Sequence, residues 1–110
     1  LVCQGTSSAK KDFVAMQKLI RPQPIALLRD GLQLLEQLNL VEMYKNYRGR
    51  QLHVFAEYDA LVPYQVMQKT KDLAAKNLSV ISVESASHGF PCFMVEQTVQ
   101  IIEGFIQPIV

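Results

Sequence analysis

The chain has 110 residues, of which 49% are hydrophobic and 19% charged, and its formal net charge is +1. This apolar content is ample for a packed core, and charge this low excludes an intrinsically disordered segment. The near-neutral balance argues against nucleic acid as a partner, and no apolar run approaches the roughly 18 residues that indicate a membrane span. We expect one small domain or part of a larger one.

The first half of the chain predicts helices without strands. Apolar residues recur at helical spacing from residue 8 to residue 20 and again from residue 25 to residue 38. Pro22 and Pro24 separate the two segments, because proline lacks the N–H that a helix interior needs. A short helical turn is expected at residues 41–44. We interpret residues 1–47 as a helical cap or lid segment.

The second half predicts alternating strands and helices. Residues 51–56 and 78–83 are short apolar runs typical of strands. Between them, Pro63 suits the first turn of a helix that extends to about Ala75. A loop is expected at residues 84–91. A final amphipathic helix follows, with an apolar face made of Val95, Val99, Ile102, Phe105 and Ile106. This order favours α/β architecture with a parallel sheet over residues 48–110.

The cysteines and histidines give little indication of a metal or redox site. Cys3 and Cys92 are far apart, and neither has a second cysteine nearby. This spacing predicts two unpaired thiols in a reducing cytoplasm. Only two histidines are present, so we expect no metal site and no cofactor. His53 falls inside a predicted strand, which favours a structural role for it.

An acid and a histidine follow the two predicted strands. Asp59 comes just after the first strand and His88 just after the second. In parallel sheets, the loops beyond the carboxyl ends of the strands converge on one edge, so the two side chains are expected to meet there. Their order is that of the last two members of a Ser…Asp…His triad. Taken singly, Asp59 is also typical of a turn or helix-capping aspartate, and His88 of a turn histidine.

The third member of such a triad is absent, since no Gly-x-Ser-x-Gly elbow precedes the pair. Residues 5–9 (Gly-Thr-Ser-Ser-Ala) approach this pattern, and Ser7 would then be a nucleophile after a short strand at residues 1–3. The polar residues 10–12 disfavour the buried helix that must follow an elbow. We therefore expect the serine and its oxyanion donors to lie outside these 110 residues, and the chain alone to be inactive and to self-associate or repack.

Segments in both halves of the chain resemble known proteins: those of the second half a superfamily, and those of the first half one family within it. Residues 57–63 (Glu-Tyr-Asp-Ala-Leu-Val-Pro) and 87–91 (Ser-His-Gly-Phe-Pro), with the terminal helix, resemble the C-terminal part of an α/β-hydrolase. Residues 13–17 (Phe-Val-Ala-Met-Gln) are similar to a Phe-Leu-Ala-Leu-Gln cap motif, and residues 31–35 (Gly-Leu-Gln-Leu-Leu) to a Gly-Leu-Glu-Ile-Leu motif. Both motifs belong to the carboxylesterases of biotin biosynthesis that hydrolyse pimeloyl-acyl-carrier-protein methyl ester (BioH type). The resemblance extends over nearly the whole chain from about residue 8.

The resemblance implies the C-terminal portion of a serine carboxylesterase whose N-terminal half carries the nucleophile. It matches Asp59 to the triad acid and His88 to the triad base. Phe13 and Leu61 match positions that line the acyl pocket, although both also suit an ordinary core. Other expectations consistent with the pair are an α/β-hydrolase acting on a different acyl ester, a C–C bond or a haloalkane, or a non-catalytic interaction module.

Basic residues in the first half are candidates for contact with a carrier protein. The family holds its acidic carrier protein with arginines of the cap, and Asp12 stands where a basic residue precedes the motif phenylalanine. Five other basic residues are then expected to replace that contact: Lys10, Lys11, Lys18, Arg21 and Arg29. The alternative for this group is a solvated helix face.

Overall fold

The structure is a computed structural model that describes residues 1–73 and 76–108. Its elements in chain order are α1 (Ala9–Gln17), α2 (Ile25–Gln37), α3 (Val41–Asn46), β1 (Gln51–Ala56), α4 (Gln65–Lys71), β2 (Leu78–Val83), α5 (Phe90–Phe93) and α6 (Val95–Ile106). The described part is thus mixed α/β, with six helices and one two-stranded sheet. The predicted division at residues 47 and 48 falls in the loop between α3 and β1.

The predicted bounds of both strands are confirmed, α1 and α2 are shorter than the periodicity suggested, and α3 is two residues longer than the predicted turn. After α1 ends at Gln17, the amides of Leu19 and Ile20 both bond to the carbonyl of Met16, which closes the helix before the prolines. α4 begins two residues after Pro63 and ends at Lys71. Its expected end near Ala75 lies outside the described residues.

Residues 90–106 differ from the prediction in two respects. The short helix α5 occupies part of the expected loop, because Pro91 lies in its first turn, where a missing N–H costs no helical hydrogen bond. In α6, the residue that packs against the core is Ile101. Most of the predicted apolar face is instead 44% to 65% exposed, namely Val95, Val99, Ile102 and Ile106. A sheet of two strands is too narrow to cover the whole apolar face of α6, so most of that face remains exposed in the described structure.

The two strands are parallel and in register from Gln51 opposite Leu78 to Ala56 opposite Val83. α4 lies between them in sequence and supplies the crossover that a parallel pair requires. At the start of β1, the side-chain amide of Asn77 donates to the carbonyls of Tyr47 and Gly49. The carboxyl ends of both strands therefore lie together at the opposite end of the sheet.

Helices cover both faces of the sheet. On one face, Ile101 of α6 and Met94 pack against a small core of Ala56, Val83 and Ala86. On the other face, α4 contacts β2, and the ring of Tyr44 in α3 meets that of His53 in β1 edge-on with centroids 5.1 Å apart. Parallel strands are ordinarily covered on both sides in this way.

The leucine-rich helix α2 is exposed along its length. Each of its large apolar side chains is more than half exposed: Ile25, Leu27, Leu28, Leu32, Leu34 and Leu35. Exposed apolar surface on this scale is uncommon in a monomeric domain and is typical of a surface that another chain or domain covers. None of the helices in the described residues is both long and apolar enough to cross a membrane.

Candidate active site

Asp59 lies in the loop that follows β1, and one of its oxygens organises that loop. Oδ1 accepts hydrogen bonds from the amides of Leu61 at 2.8 Å and Val62 at 2.9 Å. This is an aspartate turn, which the chain uses to redirect itself toward α4. The turn role that the sequence allowed for Asp59 is therefore present, although Asp59 does not cap α4, and the turn occupies only one of the two carboxylate oxygens.

The second oxygen of Asp59 contacts the histidine that follows β2. Oδ2 lies 2.8 Å from Nδ1 of His88. A carboxylate only accepts hydrogen bonds, so this contact places the proton on Nδ1 and leaves Nε2 as the acceptor in the neutral ring. The Asp59 side chain is 8% exposed and that of His88 is 42% exposed. The histidine is thus held through Nδ1 by a shielded carboxylate, while its own side chain is partly accessible to solvent.

The environment of Asp59 favours its ionised form. Burial raises the pKa of its carboxyl, but the amide hydrogen bonds from Val62 and Leu61 and the hydrogen bond and charge of His88 outweigh burial. The net effect places the pKa below the ordinary value of 3.8. A carboxylate that remains charged at neutral pH is suited to orienting an imidazole and stabilising an imidazolium.

Backbone contacts hold the acid loop and the histidine loop together. The amide of Glu57 donates to the carbonyl of Val83 at 3.0 Å, and that of Tyr58 donates to Ala86 at 2.9 Å. These bonds extend the pairing of the strands past their ends. They bring Asp59 and His88 into contact across 29 residues of sequence.

The N-terminal segment supports both loops, which the sequence did not predict. The amide of Gly89 donates to the carbonyl of Val2 at 2.9 Å. Gly5 has a φ of +102°, and a Cβ at this position would collide with the carbonyl of Tyr58. The only sequence signal was the glycine itself, since a positive φ favours that residue. Residues before α1 therefore lie against the acid and histidine loops.

The structure does not form a nucleophile elbow around Ser7. Residues 2–5 are turns rather than a strand, and Ser7 is exposed. The neighbouring Ser8 hydroxyl donates to Asp12 at 2.7 Å and lies 3.1 Å from that of Thr6. Within residues 1–73 and 76–108, the one side-chain partner of His88 is Asp59.

The two predicted substrate contacts, Phe13 and Leu61, occupy different surroundings in the structure. Phe13 is 52% exposed and lines a cavity of about 500 Å³ between α1 and the N-terminal segment, with Met16 and Ile20. Leu61 is 42% exposed in the acid loop and is not part of that lining. The structure therefore does not bring Phe13 and Leu61 into a shared pocket.

The predicted basic residues all lie on the surface. None of them forms an ion pair with a described residue: Lys10, Lys11, Lys18, Arg21 and Arg29 are all exposed. Such an arrangement suits both a solvated face and a contact with an acidic partner.

The remaining histidine and the two cysteines form no side-chain hydrogen bond with the pair. His53 lies inside β1, as predicted, and burial lowers the pKa of its ring. Its Nε2 lies 3.2 Å from Oε1 of Gln51, whose amide nitrogen donates to the carbonyl of Tyr44. Cys3 is buried and Cys92 is exposed, and the two are not bonded. The described residues contain no cluster of three side chains able to hold a metal ion.

Comparison with models of protein families, with curated proteins and with solved structures finds no match to this chain. Inference about function therefore depends on the site itself and on the sequence motifs.

Proposed function

We propose that this chain carries the acid and base of a serine hydrolase of the α/β-hydrolase class. The observation that carries the proposal is the 2.8 Å contact between Asp59 Oδ2 and His88 Nδ1. The two residues follow adjacent parallel strands at the edge of the sheet where ligands bind in such folds. An ionised, shielded carboxylate on one imidazole nitrogen, with the other nitrogen free, is the arrangement that general base catalysis requires.

In the proposed reaction, a serine outside these 110 residues attacks the carbonyl carbon of an ester. Nε2 of His88 takes the proton from the serine hydroxyl as the new C–O bond forms. It then gives that proton to the alkoxide as the ester C–O bond breaks, which leaves an acyl-enzyme. Water repeats the sequence, releasing the carboxylic acid and the free serine. Asp59 keeps its negative charge throughout and stabilises the imidazolium form of His88.

The particular enzyme that we propose is the cytoplasmic carboxylesterase of biotin biosynthesis, which hydrolyses pimeloyl-acyl-carrier-protein methyl ester. Support comes from the cap motifs at residues 13–17 and 31–35. In the structure, the first motif lies on α1 and the second on α2. The exposed leucines of α2 would then be covered by the N-terminal half of the hydrolase, and the basic residues of the first half would face the carrier protein.

The test is the substitution His88→Ala in the full-length protein, assayed with short p-nitrophenyl esters and with the methyl ester on its carrier. We expect a loss in kcat on the order of 10⁴-fold or more, because no other group takes the serine proton. Glu84→Ala is the matched control, since Glu84 is exposed in the same loop. Hydrolysis that survives in a folded His88→Ala variant would exclude the proposal.

A non-catalytic interaction module is the second candidate, and the exposed leucine surface of α2 favours it. The same experiment separates the two, because a non-catalytic module has no ester hydrolysis for His88→Ala to remove. Activity toward p-nitrophenyl esters without activity toward the carrier-bound ester would instead support a different hydrolase of the same class.

A further inference from the structure

We propose that Glu57 is a positioning residue, which holds the histidine loop so that His88 stays on Asp59. The inference rests on the proposed acid–base pair and adds a residue whose side chain is hydrogen-bonded to neither member of it. Oε2 of Glu57 accepts a hydrogen bond of 2.8 Å from the backbone amide of Ser85. The carboxylate thus reaches from the end of β1 to the end of β2, across the base of both loops.

Ser85 has a backbone conformation that needs support. Its φ is +52°, in the left-handed region that non-glycine residues seldom adopt. Such a conformation is disfavoured for a residue with a Cβ and persists where neighbouring contacts compensate for it. A charge-assisted hydrogen bond from the Ser85 amide to a carboxylate is a contact of this kind.

The chain between Ser85 and His88 transmits the position of Ser85 to the imidazole. Ala86 is 1% exposed and Ser87 is 3% exposed, so both are fixed by packing. The carbonyl of Ala86 is also bonded to the amide of Tyr58. Rotation at Ser85 would therefore redirect the segment that leads to His88, since the buried residues leave little room for a compensating local change.

Two properties of Glu57 are separable by substitution. Glu57→Gln keeps the length of the side chain and an acceptor oxygen but removes the charge. Glu57→Asp keeps the charge but shortens the side chain by one methylene, so it no longer reaches the Ser85 amide. Glu84→Ala is the matched control, because Glu84 is the exposed acid directly beside Ser85.

The readout is the tautomer of neutral His88 in the full-length protein, measured from its ¹⁵N chemical shifts after selective histidine labelling. The contact with Asp59 favours the proton on Nδ1, whereas an imidazole free in water favours Nε2. We expect Glu57→Asp and Glu57→Ala to lower the ratio of Nδ1–H to Nε2–H about three- to tenfold. Glu57→Gln should stay within about twofold of the wild type, and Glu84→Ala should be unchanged.

A rescue experiment completes the design. Glycine adopts a positive φ without strain, so Ser85→Gly should restore most of the Nδ1–H tautomer in the Glu57→Ala background. The double variant Glu57→Ala/Ser85→Gly can also be measured if Glu57→Ala alone does not fold. A normal tautomer ratio in folded Glu57→Asp would overturn the positioning role. If Glu57→Gln also had a lowered ratio in that case, the result would indicate an effect of charge instead. Asp59→Asn tests the pair independently, because an unchanged tautomer there would remove the basis of the proposed function itself.

Discussion

Asp59 contacts His88 through one carboxylate oxygen and the backbone of its own loop through the other. Oδ1 accepts the amides of Leu61 and Val62, while Oδ2 meets Nδ1 of His88. The first set of contacts fixes the direction of the carboxylate independently of the histidine. The imidazole is therefore oriented by a group that the loop backbone already holds in place, as preorganised catalytic sites require.

Asp59→Asn in the full-length protein should lower kcat on the order of 10³- to 10⁴-fold with little change in KM. The asparagine oxygen can still accept the amides of Leu61 and Val62, so the loop should remain folded. Its NH₂ group then faces His88 as a donor and selects the tautomer with the proton on Nε2, which cannot accept the serine proton. Steady-state kinetics with a chromogenic ester measures the effect.

Asp72→Asn is the control for that substitution. Asp72 is exposed, and its side-chain contact is with Gln68 of the preceding turn. Equal losses in kcat for Asp59→Asn and Asp72→Asn would point to general destabilisation rather than to a role for Asp59 in orienting the base.

The stability of the protein should depend on Asp59 at acid pH. The pKa of Asp59 in the folded state lies below its ordinary value of 3.8, so folding favours the carboxylate. Its contribution to the free energy of unfolding is fully present above its unfolded pKa and is lost as the pH falls through the lowered folded pKa. Denaturant titrations below about pH 4 should therefore show a steeper loss in the wild type than in Asp59→Asn. Parallel curves for the two proteins would contradict this linkage.

His53 should produce a second pH dependence at higher pH. Burial lowers the pKa of His53 below 6.5, so the folded protein favours the neutral ring. The free energy of unfolding therefore has its full value above pH 6.5, where His53 is neutral in both states. It declines as the pH falls from there through the lowered pKa of folded His53. His53→Phe keeps the edge-on ring contact with Tyr44 and removes the titration. We expect its free energy of unfolding to vary less than that of the wild type between about pH 5 and pH 7.

Local patterns predicted the strands because each strand is a short run with clear limits. Gly49 precedes β1, and β2 is a run rich in β-branched residues, so both sets of bounds could be assigned from the sequence. The meeting of Asp59 with His88 also followed from parallel pairing alone. The helices were harder, because periodicity indicates which residues are apolar without indicating where a partner surface exists. In α6, Ile101 packs against the core although the pattern favoured Ile102.

The supporting contacts of the site could not be predicted from sequence. The left-handed conformation of Ser85 leaves no signature, because serine is common in loops of ordinary geometry. The contact between Glu57 and Ser85 joins residues 28 positions apart, and nothing in the motif that contains Glu57 points to Ser85. Such contacts depend on the tertiary path of two loops, which local propensity does not encode.

Gly5 and Gly31 should respond to alanine in opposite directions. At Gly5, the positive φ and the nearby Tyr58 carbonyl both oppose a Cβ, so Gly5→Ala should lower the free energy of unfolding by about 1–3 kcal/mol. At Gly31, in α2, a Cβ would meet no atom within 4 Å. Gly31→Ala should raise the free energy of unfolding by about 0.5–1 kcal/mol, since alanine is the better helix former. Urea denaturation measures the change in the free energy of unfolding for both variants. No change in Gly5→Ala would show that the N-terminal segment does not hold the acid loop.

The exposed surface of α2 provides a test of whether another part of a hydrolase covers it. Leu32 is 69% exposed and Leu35 is 70% exposed. In the 110-residue chain, the double substitution Leu32→Lys and Leu35→Glu should weaken self-association about tenfold by analytical ultracentrifugation and change the free energy of unfolding by less than about 0.5 kcal/mol. In the full-length protein, the same double substitution should lower the free energy of unfolding by about 2–5 kcal/mol, because buried leucines are lost and charges enter an apolar contact.

The matched control for this experiment places the same charges at polar positions of the same helix, as Gln33→Lys and Gln37→Glu. It preserves the net charge and leaves every leucine in place, so it should be neutral in both proteins. If the leucine variant is as stable as the control in the full-length protein, α2 remains exposed there, and the surface belongs to an external partner rather than to the core of the same hydrolase. That result would favour the interaction module even if the acid–histidine pair were intact, because a covered cap helix is a requirement of the esterase fold that we propose.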